Sequence, residues 1–353
     1  MAWLFVRGTF LREIKIVFPN HRPRYLFLIA CAVAVLAAGM VRGQSGHSGA
    51  SPVQIAQRQF NSGDYSGAIA SLRTAAAMTS SDAESHFWIA RAYYEQHNFD
   101  QAMAQFAKAV QVAPSNSLYH QWLGRAYGEQ ADRERSFTLA RRVKSEFETA
   151  VRLNPANIPA RRDLEEYCLD APWIAGGSKD EAKAQVDAIA VADPIEGHLA
   201  RAQYDALALK KPDLADNEYH QALEAKPKRI DPYLDAADFY EKQNRPADLA
   251  NVLDAAGKVV PSDPRLAFHH GVQRILAAKD LPQAEQYLKS YLASTPDRSD
   301  WPPHAAAREW LGRLYQLEGK HAEAAEQFRA ALQLDPNRKE ARTRLDQLEK
   351  AAH

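Results

Sequence analysis

The sequence predicts an all-α fold, a solenoid of about eight helix-turn-helix repeats with a C-terminal capping helix. Three observations carry that prediction. One spacing recurs unchanged in Ala102-x3-Phe106-x2-Ala109-x4-Pro114, Val143-x3-Phe147-x2-Ala150-x4-Pro155 and Ala324-x3-Phe328-x2-Ala331-x4-Pro336. Upstream of each lies a second set: His86, Ile89, Ala90 and Tyr93; then His120, Leu123, Gly124 and Tyr127; then Arg308, Leu311, Gly312 and Tyr315. Steps of three, four and seven put one stripe on each of two consecutive helices. Finally, Ser80, Pro114, Pro155, Pro194, Pro227, Pro261, Pro296 and Pro336 mark eight repeat ends, 34, 41, 39, 33, 34, 35 and 40 residues apart. Self-similarity at such a period signals stacked supersecondary units.

The 353 residues carry 44 Lys+Arg against 44 Asp+Glu, with 46% apolar residues and two cysteines. That composition excludes collagen, intrinsic disorder and a disulfide scaffold. Zero net charge argues against a protein that works by holding nucleic-acid phosphates. The balance is uneven, however: residues 1–43 hold six of the bases and one acid, which leaves the rest with 38 bases against 43 acids. A basic stretch followed by 17 uncharged residues, 25–41, reads as an export leader. Seventeen residues lie at the lower limit for a spanning helix. A cleaved signal, cut before Gln44, and a retained signal-anchor therefore both stay open. In either case Arg7, Arg12, Lys15, Arg22 and Arg24 remain cytoplasmic and the chain beyond is exported. The expected location is the inner membrane facing the periplasm, or the periplasm or medium if the leader is cut. Leu28-Ile29-Ala30-Cys31 resembles a bacterial lipobox, but the apolar run continues past Cys31, so that residue reads as a small membrane-buried side chain. Cys168 has no exported partner with which to form a disulfide.

After a Gly- and Ser-rich linker, 44–51, the array occupies 52–337 and a helix 338–353 ends the chain. Retained, the leader would hold the array within roughly 30 Å of the membrane, at about 3.4 Å per linker residue. The repeat frame resembles the tetratricopeptide family, whose 34-residue unit reads roughly W-x2-L-G-x2-Y followed by A-x3-F-x2-A-x4-P. That resemblance implies a right-handed superhelix, and with the leader the chain reads as an exported bacterial protein that resembles this family. The physical reasons are legible in the residues. Gly or Ala at the crossing lets two helices approach closely, aromatic rings fill the space between hairpins, and Pro cannot continue the second helix. The first repeat has Ile55, Ala56, Ala68, Leu72 and Ala75; the sixth has Tyr233, Ala236, Ala237, Tyr240, Leu249, Leu253 and Ala256; the fifth and seventh are least regular. Three repeats exceed 34 residues. The third gains seven within 128–144, about two helical turns to share between its helices. The fourth gains five around 170–178, a loop before the capping box Ser178-Lys179-Asp180-Glu181. The eighth gains six at 298–305, with Pro302 and Pro303 setting the approach to its first helix. Beyond Pro336, Ala341, Leu345 and Leu348 make a single stripe among charged residues, as an end helix must.

No nucleophile elbow, phosphate loop, dinucleotide glycine pattern, zinc pair or haem-attachment motif occurs, so no catalytic residue, metal or cofactor is expected. Gly176-Gly177-Ser178-Lys179 reads as a helix start. His269, His270 and His304 are the pieces of a metal hypothesis, but adjacent helical residues point about 100° apart. The resemblance implies binding of a peptide or partner helix along the concave face. In the family frame the groove positions are Glu84, Phe87, Arg91 and Tyr94, then Leu118, Gln121 and Arg125, then Arg162, and finally Glu309, Arg313 and Gln316. The candidate binding set is Phe87, Arg91, Tyr94, Gln121, Arg125, Arg162 and Arg313. Arg91 and Arg125 should stand in a row able to grip acidic side chains, unless they pair with Glu95 and Glu129. The sixth repeat offers Asp231, Leu234, Asp238 and Glu241, so the groove changes sign. Trp173 and Ile174 are either an exposed anchor or a plug on the next hairpin. The expected function is a non-enzymatic protein-binding scaffold without nucleic acid; a self-assembling envelope protein and an enzyme with groove-borne residues are the alternatives.

Overall fold

A computed structural model describes residues 50–78 and 82–351. The basic leader, the apolar run, nearly all of the linker and the Ser80 repeat end lie outside the described residues. Seventeen α-helices and no strand occur among the described residues. They pair in chain order: α1 (Pro52–Asn61) with α2 (Tyr65–Met78), α3 (Ala83–Glu95) with α4 (Phe99–Val112), α5 (Ser117–Glu134) with α6 (Phe137–Leu153), and α7 (Ile158–Asp170) with α8 (Lys179–Ala192). Four more hairpins follow: α9 (Pro194–Leu207) with α10 (Pro212–Glu224), α11 (Asp231–Lys242) with α12 (Pro246–Val259), α13 (Arg265–Leu276) with α14 (Leu281–Ser294), and α15 (His304–Leu317) with α16 (His321–Leu334). The last helix, α17 (Lys339–Ala351), lies on α16 and buries Ala341 and Leu345 there. Each hairpin also packs on the next, so the apolar faces are shared along an all-α solenoid.

The helices start in two ways. In the first half side chains cap them: Ser51 with Gln54 in a full capping box, then Asp82, Asn98, Asn116, Ser136, Asn157, Ser178 and Asp193. From α10 to α16 the N-cap residue's side chain does not do so: α10, α11, α12 and α14 instead begin with a proline in the first turn, and the first N–H groups of α13 and α15 go to Asp263 and Asp297. Both solutions deal with the orphan N–H groups of a helix start, one by supplying an acceptor and the other by removing a donor. The hairpin turns also repeat. Gly63, His97, Asn244 and Gly319 sit in the left-handed region after the first helix, and the next residue bonds back, as Asn98 N–H does to the Tyr93 carbonyl at 2.9 Å and Lys320 N–H to that of Tyr315 at 2.8 Å.

The crossings explain the small residues. A Cβ on Gly124 would lie 2.6 Å from the Phe147 ring, and one on Gly312 would lie 2.6 Å from the Phe328 ring. Two repeats far apart in sequence thus use the same contact, and Phe328 is fully buried by it. The seven extra residues of the third repeat are shared as expected: α5 and α6 run 18 and 17 residues, against 13 and 14 for α3 and α4. The fourth-repeat insertion forms a 3₁₀ turn at Trp173–Ala175. Pro194 is the exception among the repeat ends, since it is the first residue of α9 rather than a residue beyond α8.

Replacing Gly124 by Val should destabilise the array by about 2 kcal/mol, through overpacking against Phe147. Gly257, in α12, has nothing within 4 Å of its Cβ position, so Gly257→Ala should gain about 0.5–1 kcal/mol from helix propensity alone. Urea midpoints of the two variants should move in opposite directions.

Candidate functional site

The concave side of the first three repeats is built around a ladder of rings. Phe87 stacks on Tyr119 with centroids 5.1 Å apart and meets Phe106 at 5.8 Å, while Trp122 stands edge-on to Tyr94 at 5.5 Å. Arg91 runs through this ladder, its guanidinium 3.6 Å from the Trp122 centroid and 5.0 Å from that of Phe60. Burial lowers the Arg91 pKa and Glu95, 3.5 Å away, works against that. Arg125 lies over the same Trp122 ring at 4.5 Å. It donates through Nε and Nη2 to Asp163 at 2.8 and 3.0 Å, and Gln121 donates to that carboxylate at 2.7 Å. The sequence-derived row of Arg91 and Arg125 is therefore assembled on one indole. Arg125 pairs with Asp163 of the next repeat instead of Glu129, which accepts a bond from the Tyr94 hydroxyl at 2.9 Å.

The remaining sequence-derived residues lie further along. Arg162 bonds Gln203 at 2.9 Å and lies 3.9 Å from both Glu165 and Asp235. Arg313 stacks on Trp310, 3.6 Å from the ring centroid, and burial lowers its pKa with Arg344 acting the same way. Phe87, Arg91, Tyr94, Gln121, Arg125 and Arg162 are all less than 9% exposed, so each already contacts its own chain. Phe87, Arg91, Tyr94, Gln121 and Arg125 converge on the Trp122 region; Arg162 and Arg313 stand apart from it.

What sequence reasoning missed is the occupant of this region. The eighth-repeat insertion turns inward and reaches α1–α3 from more than 200 residues away. Ser299 gives its N–H to Glu95 Oε2 at 2.6 Å and its hydroxyl to Oε1 at 2.8 Å. The Tyr65 hydroxyl donates to the Asp297 carbonyl at 2.9 Å, and Pro296 Cβ lies 2.8 Å from where a Cβ on Gly63 would be. Arg298 lies 5.6 Å from the Phe60 centroid and is held by Asp300 through two bonds of 2.9 Å. Arg298, Ser299 and Asp300 are 5%, 7% and 5% exposed, as buried as the core around them. The only sequence signal was the insertion itself, which places an alternating charge pattern where a hairpin needs none.

Two other groups stand out. Glu165 is fully buried, and neither carboxylate oxygen has a hydrogen-bond partner among the described residues. Burial pushes its pKa up to about 8, against the pull of Arg162 and with a further push from Glu196. Asp238 and Glu241 on α11 and His269 on α13 bring one donor atom each within 4.8 Å of one another. His269 Nδ1 is 3.9 Å from Asp238 and 4.0 Å from Glu241. The metal pieces suggested by sequence separate, since His304 contacts Thr295 and Tyr291 instead. Of the fourth-repeat insertion, Trp173 is 84% exposed. Ala175 is the residue that plugs, its carbonyl accepting from the Tyr167 hydroxyl at 2.7 Å. Among the described residues no helix is long and apolar enough to cross a membrane.

Tetratricopeptide repeat models match the chain over residues 60–126 and 305–338. These stretches cover the aromatic ladder and the last hairpin. Among solved structures, the chain is similar to a tetratricopeptide repeat protein from Parabacteroides merdae, at 14% identity and a TM-score of 0.47 over 76% of this chain and 98% of that one. A thermophilic TPR protein of Thermus thermophilus matches at 23% identity and a TM-score of 0.43, over 53% of this chain and 96% of that one. The APC/C hetero-tetramer Cut9-Hcn1 matches at 12% and 0.47, over 84% of this chain and 55% of that one. Among curated proteins none matches the chain.

The Glu165 proton is kept by the folded chain and lost by the unfolded one between pH 4.5 and about 8, so its contribution to stability falls as pH rises through that window. Glu165→Gln removes the penalty. The variant should be more stable than the parent by about 4 kcal/mol at pH 8 and within about 1 kcal/mol of it at pH 5, read as urea midpoints at the two pH values.

Proposed function

We propose that the chain is a non-enzymatic scaffold that binds an extended peptide or a partner helix in its concave groove, on the exported side of the cytoplasmic membrane. One observation carries the reading: the groove of the first two repeats holds a non-helical segment, a turn over 298–301, through both main-chain and side-chain bonds, between Glu95 and Tyr65 and residues 297–300. A surface that grips one such segment has the chemistry to grip another. The basic leader supports the location, with the 17-residue apolar run as anchor or cleaved signal. The exposed Trp173 offers a second, outer contact for a partner. A photoreactive side chain at Leu118, which is 37% exposed, should crosslink a partner in membrane or exported fractions. Recovery of the protein only from cytosol refutes the location, and partner crosslinks confined to Trp173 variants refute the groove.

Asp238, Glu241 and His269 favour a second reading, a metal held in the groove and acting on a bound ligand. Two carboxylates and an imidazole suit zinc or manganese, and the spacings of 3.9 and 4.0 Å need to close by about half an ångström to meet bonds near 2.1 Å. On this reading zinc titrated calorimetrically binds one per chain and His269→Ala loses at least tenfold in affinity. Equal heats for parent and variant sink it.

A further inference from the structure

The segment 297–300 shows what the first groove selects. Resting on the reading that this groove binds a partner's chain, we infer that it is specific for a turn-forming segment with arginine and serine in succession and an acidic residue next. The chain's own Arg298-Ser299-Asp300 is then a resident occupant that such a segment must displace. The specificity follows from the atoms. Glu95 takes two donors from one residue, an amide N–H and a hydroxyl, at 2.6 and 2.8 Å. Alanine would leave Oε1 of a buried carboxylate with only the 3.5 Å bond from Arg91, and proline would in addition leave Oε2 without its donor. The Phe60 ring carries both Arg91 at 5.0 Å and Arg298 at 5.6 Å, so a neutral residue at 298 forfeits the cation–π contact. Asp300 neutralises Arg298 through two bonds of 2.9 Å, and its charge also acts on Arg91. Charges thus alternate across the contact, Arg91 and Glu95 on one wall and Arg298 and Asp300 on the other. Tyr65 fixes only the carbonyl of residue 297, so the residue before the arginine is not selected.

The occupant also sets a threshold. Its tether gives it an effective concentration on the order of millimolar, and a free segment of equal chemistry has to exceed that or bring further contacts with it. The loop therefore passes over weak, isolated matches and yields to a partner that engages neighbouring repeats as well. Its anchors to the flanking helices include the His304 N–H to Asp297 at 3.1 Å and the Tyr291 hydroxyl to the Pro302 carbonyl at 2.5 Å.

The test is a fluorescence-anisotropy titration with a labelled peptide of sequence TPDRSDWP, residues 295–302 of this chain. Three proteins are compared: the parent, the variant R298G/S299G/D300G, and that variant with E95Q added. The glycine variant should bind at least tenfold more tightly than the parent, and E95Q should remove at least tenfold of that gain. A folded glycine variant that binds no better than the parent, or binding indifferent to E95Q, overturns the proposal. Should the glycine variant not fold, hydrogen exchange on parent and E95Q decides: the Ser299 amide should exchange at least tenfold faster in E95Q while the amides of α13 are unchanged, and equal protection at Ser299 overturns it. If the peptide result fails while Leu118 still crosslinks a partner, this specificity falls and the scaffold reading stands.

Discussion

The close crossing of the two helices within each hairpin is the constraint on which the rest of the structure depends. At Gly124 and Gly312 a phenylalanine ring from the second helix lies where a side chain would otherwise be, and at Gly271 the same space is taken by Leu288. A missing side chain lets two helix axes come toward the lower end of the usual 8–10 Å range. That distance fixes the tilt of each hairpin on the last, and the tilt accumulates. Between Glu95 and Ser299 lie the second helix of one hairpin and five complete hairpins, yet their atoms meet at 2.6 Å. A small error per crossing, multiplied over so many, would leave the eighth-repeat loop in solvent. The groove contact is therefore a readout of every crossing before it.

The same winding turns the concave face into an interior. A wide superhelix would leave Arg91, Arg125 and Arg162 in water, where guanidinium groups pair loosely and contribute little. Here they are buried, and burial is tolerated because each has partners: Arg91 the rings of Phe60 and Trp122 and Glu95, Arg125 Asp163 and Trp122, Arg162 Gln203 and Asp235. Arginine suits this better than lysine would, since its flat, weakly hydrated head stacks on a ring while its edge bonds. Glu165 shows the opposite outcome. With no hydrogen-bond donor in reach among the described residues it keeps its proton, and it lies near one of the divisions among the four apolar clusters, where the cluster around Phe147 and Tyr167 gives way to a small one of Val186, Ile189 and Ala200.

Most of the architecture was legible because it is periodic. The Phe106, Phe147 and Phe328 positions, the small crossings and the longer third hairpin all follow from spacing, since stacking forces each repeat to solve the same packing problem. The groove positions were legible only as positions. Spacing placed Arg91 and Arg125 on one face, but whether that face is open depends on the superhelical pitch, which no single repeat encodes. Ser299 and Glu95 were not legible at all, because a pair that far apart leaves no periodic trace. The tandem prolines 302 and 303 were read as the approach to α15, and they are that; residues 296–299 ahead of them carry the contact.

That the returning loop belongs to the eighth repeat follows from geometry. The loop lies between α14 and α15, and it is these helices that bring it to Gly63, Tyr65 and Glu95. Only where the array has come round does a short insertion span the gap, and six residues suffice because Pro296 already lies against Gly63. An insertion at that place has a low entropic cost, since both of its ends are fixed by α14 and α15 before it closes. Its polar sequence follows from the same placement. Lodged against a ring ladder with one buried acid, an apolar loop would leave Glu95 only its 3.5 Å bond from Arg91, whereas Arg-Ser-Asp adds two shorter donors and arrives electrically balanced.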